Sequence, residues 1–260
     1  EGFGVVRVSG LVVVNGNEIS ADKISLATGS APMRPPISGS DSPKVLTSDE
    51  VLTSSTCPEG LVIIGGGVIG LEFASLFAAL GKKVTVLEML PSILPGVDGG
   101  ISARLIQLLQ RKKVEVVTGA KVTAIHDGPQ ATVDYELGGH LKKASGECCV
   151  MSVGRRPMTG DIGLETVGIK TSKGFVSVDD SLRTNIPTIY AIGDITGKVQ
   201  LAPVASAQGL TAAANCAGLH RVMKSDHVPS CMSTSPDIAS VGLTAAEAGQ
   251  RVRKIEVGRI

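Results

Sequence analysis

Tryptophan is absent, and two Tyr with four Phe bring the aromatic share to only 2%. Lysine and arginine (25) nearly balance aspartate and glutamate (24), for a net charge of +1. A nucleic-acid binder needs a basic face or aromatic stacking platforms, so no nucleic-acid partner is expected. Long apolar runs are also lacking: the longest, Leu61 to Leu80, is broken by four glycines and Glu72. A spanning helix needs about 20 predominantly apolar residues, so no membrane segment is expected. No signal-peptide pattern precedes the first predicted strand. Cysteine is sparse and odd in number: Cys57, Cys148, Cys149, Cys216 and Cys231. Their spacings fit neither zinc nor a disulfide framework, so the expectation is no metal and unpaired thiols in a reducing compartment. Both ends read as cuts, Glu1 having no methionine before it and Ile260 closely following a predicted strand.

What remains is a globular composition of 260 residues, 43% apolar and 19% charged, enough for one large domain or two ordinary ones. Pro- and Gly-rich joints fall at residues 31–43, 91–100, 156–163 and 227–236. Between them strands and helices alternate. Short strands are predicted at 5–8, 11–15, 18–20 and 23–26, with Asn15-Gly16 as a hairpin signal. Residues 61–64 are an all-apolar run, as a buried parallel strand would be. Apolar residues then cover most of the circumference of a helix over 68–80, which predicts a buried helix stopped by Gly81. A strand at 83–87, a helix capped by Asp98 with Ile101, Leu105, Leu108 and Leu109 in one stripe, and a strand at 114–118 follow. Strand–helix–strand–helix–strand is one mononucleotide-binding half of a doubly wound sheet, so the fold class is α/β. A strand group at 122–125, 131–137 and 147–153 sits beside it in sequence. Strands at 175–178 and 188–192 and an Ala-rich helix over 202–219 follow.

Gly65-Gly66-Gly67-Val68-Ile69-Gly70 satisfies G-x-G-x-x-G, between an apolar strand and a helix. Gly65 permits a tight turn, Gly67 lets a pyrophosphate approach the backbone, and Gly70 lets the helix sit close to the strand. The helix head through Leu71 offers amides and a positive dipole end to phosphates. The bland alternative is a glycine turn without a ligand. Glu88 ends the next strand, about 20 residues on, where a carboxylate accepts from an adenine ribose. No Arg or Lys lies within residues 89–96 to welcome a 2′-phosphate, so NAD is expected over NADP. The alternative is a solvated strand-end glutamate. Glu72 on the apolar helix is either a surface position on an imperfect stripe or the member of an ion pair or cofactor contact.

Three further segments carry pattern: Ala27-Thr28-Gly29-Ser30 after a strand, Thr188 to Asp194 ending Gly-Asp, and Gln200-Leu201-Ala202-Pro203 opening a helix. With these, residues 25–30, 62–72, 88–98, 153–157, 190–194 and 234–244 make the chain similar to the pyridine nucleotide–disulfide oxidoreductases. The stretch after Glu88 tilts the resemblance toward the branch acting on lipoamide dithiols, over the glutathione and mercuric branches. The resemblance implies a Rossmann-like NAD domain inserted in a partial FAD-binding domain, with the start of an α+β dimerisation domain. The implied boundaries are 1–53 and 154–226 for the FAD parts, 54–153 for NAD and 227–260 for dimerisation.

The resemblance further implies FAD contacts at Gly4, Thr28, Gly29, Ser30, Asp194, Gln200, Leu201, Ala202 and Pro203, with Asp194 accepting from the ribityl hydroxyls. It implies NAD contacts at Gly65, Gly66, Gly67, Val68, Ile69, Gly70, Leu71, Glu72, Glu88, Val122 and Gly154. Glu72 matches a family glutamate usually paired with a lysine, which this chain lacks. Pro203 stands where the family commonly has histidine and removes one backbone N–H. The family's Cys-x4-Cys redox pair, first FAD glycine fingerprint and C-terminal His/Glu base have no counterpart among these residues. No catalytic residue is therefore expected here, and the four histidines, His126, His140, His220 and His227, read as structural or solvated. In a complete enzyme the implied substrate is a small dithiol, dihydrolipoamide on a lipoyl domain, and the implied assembly is a homodimer. The compartment is cytoplasmic by default, mitochondria being the other place this enzyme type occurs. Two other readings stay open: a non-catalytic NAD-binding module, and a sister reductase.

Overall fold

The computed structural model describes residues 2–224, 228–251 and 254–258. The chain divides into two compact units, one of residues up to Ala31 with Arg155–Val228, the other of Pro32–Gly154 with the residues from Pro229.

The second unit is built on a parallel sheet of five strands in the order Val45–Thr47, Cys148–Met151, Gly60–Ile64, Lys83–Glu88, Glu115–Thr118. The all-apolar run at its centre has a direct cause. Leu61 and Ile63 pack on one face with Leu71, Phe73, Ala74 and Phe77 of the helix Val68–Ala79 and Leu105 and Leu109 of the helix Gly99–Arg111. Val62 and Ile64 pack on the other face with Ile125, Ala131, Val133 and Tyr135 of a three-stranded antiparallel sheet. Both faces are covered, so no polar residue alternates in. Burying each such side chain contributes about 1.5–3 kcal/mol.

The helix Val68–Ala79 is less enclosed than its composition predicts. Phe73, Ala74 and Phe77 are buried, but Val68, Leu76 and Leu80 are 40%, 50% and 56% exposed within the chain. The sheet covers only one side of the helix. Gly81 ends it at φ +76°, a conformation that favours glycine. Asp98 caps the next helix, its carboxylate accepting from the Gly100 amide at 2.9 Å. Ile101, the first member of the predicted stripe, is 40% exposed, while Leu105 and Leu109 are buried.

Three pieces of this unit run against the sequence reading. The Pro-rich joint is followed by the edge strand Val45–Thr47 and the helix Ser48–Thr53, which opens on a capping box between Thr47 and Glu50. The antiparallel sheet consists of Lys121–His126, Ala131–Leu137 and His140–Gly146, whose last strand is polar and mostly exposed. Residues 147–153 instead contribute Cys148–Met151 to the parallel sheet. The joint expected at 227–236 contains the strand Ser230–Met232, which pairs with Ile238–Ser240. Met232 and Ile238 are buried in the same cluster as Leu71 and Phe77.

The first unit contains a meander of Gly4–Val8, Leu11–Val14 and Asn17–Ser20, with Asn15 and Gly16 at φ +50° and +81° in the tight turn. Ile24–Leu26 pairs in parallel with Ile189–Ala191. Ile24, Leu26, Ile189, Ala191 and Ile195 share a core with Val6 and Val176. The helix Ala202–Cys216 has Pro203 in its first turn and stops three residues short of its predicted end.

Candidate functional site

The glycine loop leaves the parallel strand Gly60–Ile64 and enters the helix Val68–Ala79. Gly65 has φ +110°, and a Cβ there would fall into the Ser152 carbonyl. At Gly70 a Cβ would fall into the Gly65 carbonyl and press on Ile63, so only glycine allows this close helix–strand approach. At Gly66 it would press on Glu88 and Ile93. Gly67 differs from all three: a Cβ there meets nothing within 4 Å. It is the N-cap of the helix and no side chain caps it. Orphan amides of a helix's first turn, next to an open backbone, suit an anion.

Glu88 ends the neighbouring strand with only 8% of its surface exposed. Its Oε2 accepts from the Gly66 amide at 2.5 Å and its Oε1 from the Leu90 amide at 2.7 Å. It is therefore not a solvated strand-end glutamate but faces the glycine loop and holds it. A carboxylate has about four acceptor positions, so two amides do not saturate it. The remaining candidates of this unit lie near the same end of the sheet. The turn into the strand that carries Val122 donates from Gly119 to the Leu90 carbonyl at 2.9 Å and from Ala120 to the Glu88 carbonyl at 2.8 Å. Gly154, at φ +115° with open space around a would-be Cβ, follows the strand Cys148–Met151. Glu72 forms no ion pair among the described residues; it is half-buried, and its Oε1 accepts from the Ser233 amide at 2.7 Å.

In the first unit Thr28, Gly29 and Ser30 follow one parallel strand and Asp194 follows its partner. Thr28 Oγ1 donates to the Met158 carbonyl at 2.6 Å, and Ser30 Oγ donates to Asp194 Oδ2 at 2.6 Å. Arg155 Nε donates to Ser30 Oγ at 2.7 Å and Nη2 to the Ser30 carbonyl at 2.8 Å. Gln208, fully buried in the helix, accepts from the Gly193 amide at 2.6 Å and fixes the backbone just before Asp194. Gln200, Ala202 and Pro203 are exposed at the head of that helix and Leu201 is half-buried. Gly4 lies beside Val12 and Val14 in the meander, with no described hydrogen bond to the Ser30–Asp194 cluster. Arg155, within the stretch 153–157 that carries the resemblance, and Gln208 were given no site role from the sequence. A polar residue in an Ala-rich helix, and an arginine straight after a glycine, were the available signals.

The sequence pattern described as pyridine nucleotide-disulphide oxidoreductase matches residues 1–209. The chain belongs to the pyridine nucleotide-disulphide oxidoreductase family.

Among its oxidoreductase relatives are dihydrolipoyl dehydrogenases of Bacillus subtilis, 40% identical over 91% of this chain, and of Chlamydia pneumoniae, 42% identical over 90%. The chain spans about half the length of these relatives, 51% and 50%. Among solved structures, the HOCl-induced flavoprotein disulfide reductase RclA from Escherichia coli matches with TM-score 0.87 and 30% identity, over 96% of this chain and 58% of that one.

The family's disulphide chemistry has no pair of cysteines to act on among the described residues: all five cysteines are free. Burial pushes the Cys148 thiol up to about 11, with Glu147 adding to it, and the Cys149 thiol up to about 12. Neither is a nucleophile near neutral pH. His126 Nε2 lies 2.9 Å from Asp134 Oδ2 at the surface, and this contact, with Lys143, holds Asp134 below the ordinary carboxylate range against its partial desolvation. His140 and His220 are exposed, and His227 lies outside the described residues. Among the described residues no group of three His, Cys, Asp or Glu side chains is placed to hold a metal ion, and no helix is long and apolar enough to cross a membrane.

Proposed function

We propose that this chain is the NAD-binding portion, with part of the FAD site, of a flavoprotein oxidoreductase of the dihydrolipoyl dehydrogenase type. The observation that carries the reading is the pairing of an uncapped, open-faced helix head at Gly67 with the Glu88 carboxylate clasped to the loop beside it. The first suits a pyrophosphate and the second an unphosphorylated ribose. The identity to dihydrolipoyl dehydrogenases over nine tenths of the chain supports the choice of branch.

In this reading Gly65 to Leu71, Glu88, Val122 and Gly154 hold NAD, and Glu72 lies nearest the nicotinamide end. Thr28, Gly29, Ser30, Asp194 and residues 200–203 hold FAD, with Gly4 nearby. Residues 54–153 form the NAD domain, 1–53 and 154–226 contribute to the FAD domain, and 227–260 begin a dimerisation domain. When bound, the two cofactors supply hydride transfer between flavin and nicotinamide, linking a substrate dithiol to NAD+. This chain's own residues bind, orient and select. The whole enzyme would act on dihydrolipoamide carried by a lipoyl domain, as a homodimer in the cytoplasm.

Calorimetric titration of the 260-residue chain with NAD+ and NADP+ tests the reading. NAD+ should bind more tightly by at least about tenfold, a difference of about 1.4 kcal/mol. Equal or tighter binding of NADP+ would overturn it.

A further inference from the structure

We propose that Arg155 is a positioning residue of the flavin site, acting through Ser30 to hold the Asp194 carboxylate in one orientation toward a diol. The inference rests on the reading of Asp194 as the acceptor for a flavin's ribityl chain.

The direction of the hydrogen bonds is dictated by chemistry. A guanidinium only donates, so Ser30 Oγ must accept from Arg155 Nε at 2.7 Å. The hydroxyl's own proton then goes to Asp194 Oδ2 at 2.6 Å. The second donor, Nη2, is fixed on the Ser30 carbonyl at 2.8 Å, so the guanidinium grips one residue at two points. Its charge lies 3.9 Å from Asp194 Oδ2 and supports the carboxylate without touching it. The backbone just before Asp194 is fixed independently, by Gln208 accepting from the Gly193 amide.

Two consequences follow. Oδ2 is committed to Ser30, whereas Oδ1 accepts no hydrogen bond from any described residue and belongs to a side chain 27% exposed. The free oxygen is the one available to a hydroxyl of the ligand. The Ser30 hydroxyl has its proton and one lone pair engaged inside the protein, so between Arg155 and Asp194 it serves as a relay.

Fluorescence titration of the 260-residue chain with riboflavin and with lumiflavin, which has a methyl group in place of the ribityl chain, tests this. The wild-type chain should prefer riboflavin. R155M and S30A should each lose about tenfold of that preference, the effect of one charge-supported hydrogen bond, with lumiflavin affinity unchanged. S30T keeps the hydroxyl and should keep the preference. Melting curves accompany each variant, and if R155M fails to fold, the contrast of S30A with S30T decides. A wild-type chain that shows no preference for riboflavin overturns the reading of Asp194 itself. A wild-type preference that R155M and S30A both retain overturns the role of Arg155.

Discussion

The amide of Gly66 donates to Glu88 Oε2 at 2.5 Å, so the acidic strand tip that suits a ribose also closes the loop that suits a phosphate. Recognition and loop shape are thereby joined in one side chain. In E88A the Gly66 and Leu90 amides both lose their acceptor, at about 1–3 kcal/mol for each that stays buried. E88Q restores one acceptor and turns an NH2 group toward the other amide. Melting temperature and NAD+ affinity should therefore both fall in the order wild type, E88Q, E88A. NADP+ should gain nothing in E88A, because the same loop is loosened. An E88A chain that binds NADP+ more tightly than wild type does would show that the clasp is dispensable.

Gly67 and Gly70 separate binding from folding. In G70A the new Cβ meets the Gly65 carbonyl, an overpacking that costs about 1–3 kcal/mol and shifts the loop. In G67A the Cβ enters open space, and φ is −79°, which alanine accepts. Stability by urea unfolding should drop in G70A and stay within about 1 kcal/mol of wild type in G67A, the size of an N-cap exchange. NAD+ binding should fall at least about tenfold in both. G67A with unchanged NAD+ affinity would place the dinucleotide elsewhere.

The parallel-sheet unit could be read from sequence because its determinants are local. The run Leu61 to Ile64 alternates between two covered faces, and the glycines stand at fixed offsets after it. His140–Gly146 escaped because an exposed edge strand has no apolar period to detect. Its one sign was Gly138-Gly139, both at positive φ, in the tight turn where Leu137 pairs with His140. The candidate sites divide the same way. Gly65 to Gly70 were visible as a motif, but Ser30 meets Arg155 and Asp194 across 125 and 164 residues, and Glu72 meets Ser233 across 161. Such partners are set by the closing of the fold, and no spacing along the chain announces them.

The adjacent thiols Cys148 and Cys149 predict an alkaline limit to stability. They point to opposite faces of the parallel sheet, one against the helices and one against the antiparallel sheet. Free thiols ionise near pH 9, whereas these are pushed up to about 11 and about 12 by burial. Between those values the unfolded chain has lost protons that the folded chain keeps, so stability falls as pH rises above about 9. Urea unfolding from about pH 8 to about pH 10.5 should show this decline in wild type. C149A, although destabilised by its cavity, should decline less steeply. A thiol reagent at neutral pH should modify exposed Cys57 and Cys231 first and reach Cys148 and Cys149 only on unfolding. Parallel pH slopes for wild type and C149A would refute the assignment.

Glu72 connects the helix Val68–Ala79 to the hairpin of Ser230–Met232 and Ile238–Ser240, through the Ser233 amide at 2.7 Å. Buried Met232 and Ile238 hold the same hairpin by packing, so the hydrogen bond and the apolar contacts act on one element by different means. Replacing the carboxylate by alanine removes the acceptor and leaves the packing. Amide exchange at Ser233, followed by mass spectrometry, should accelerate about fivefold in E72A, the equivalent of a net hydrogen bond of about 1 kcal/mol. Global stability should change little, since the site is exposed. E72Q retains an oxygen acceptor and should exchange like wild type. If E72A leaves Ser233 exchange unchanged, Met232 and Ile238 alone hold the hairpin, and the Glu72 carboxylate is free to serve the cofactor side of the helix.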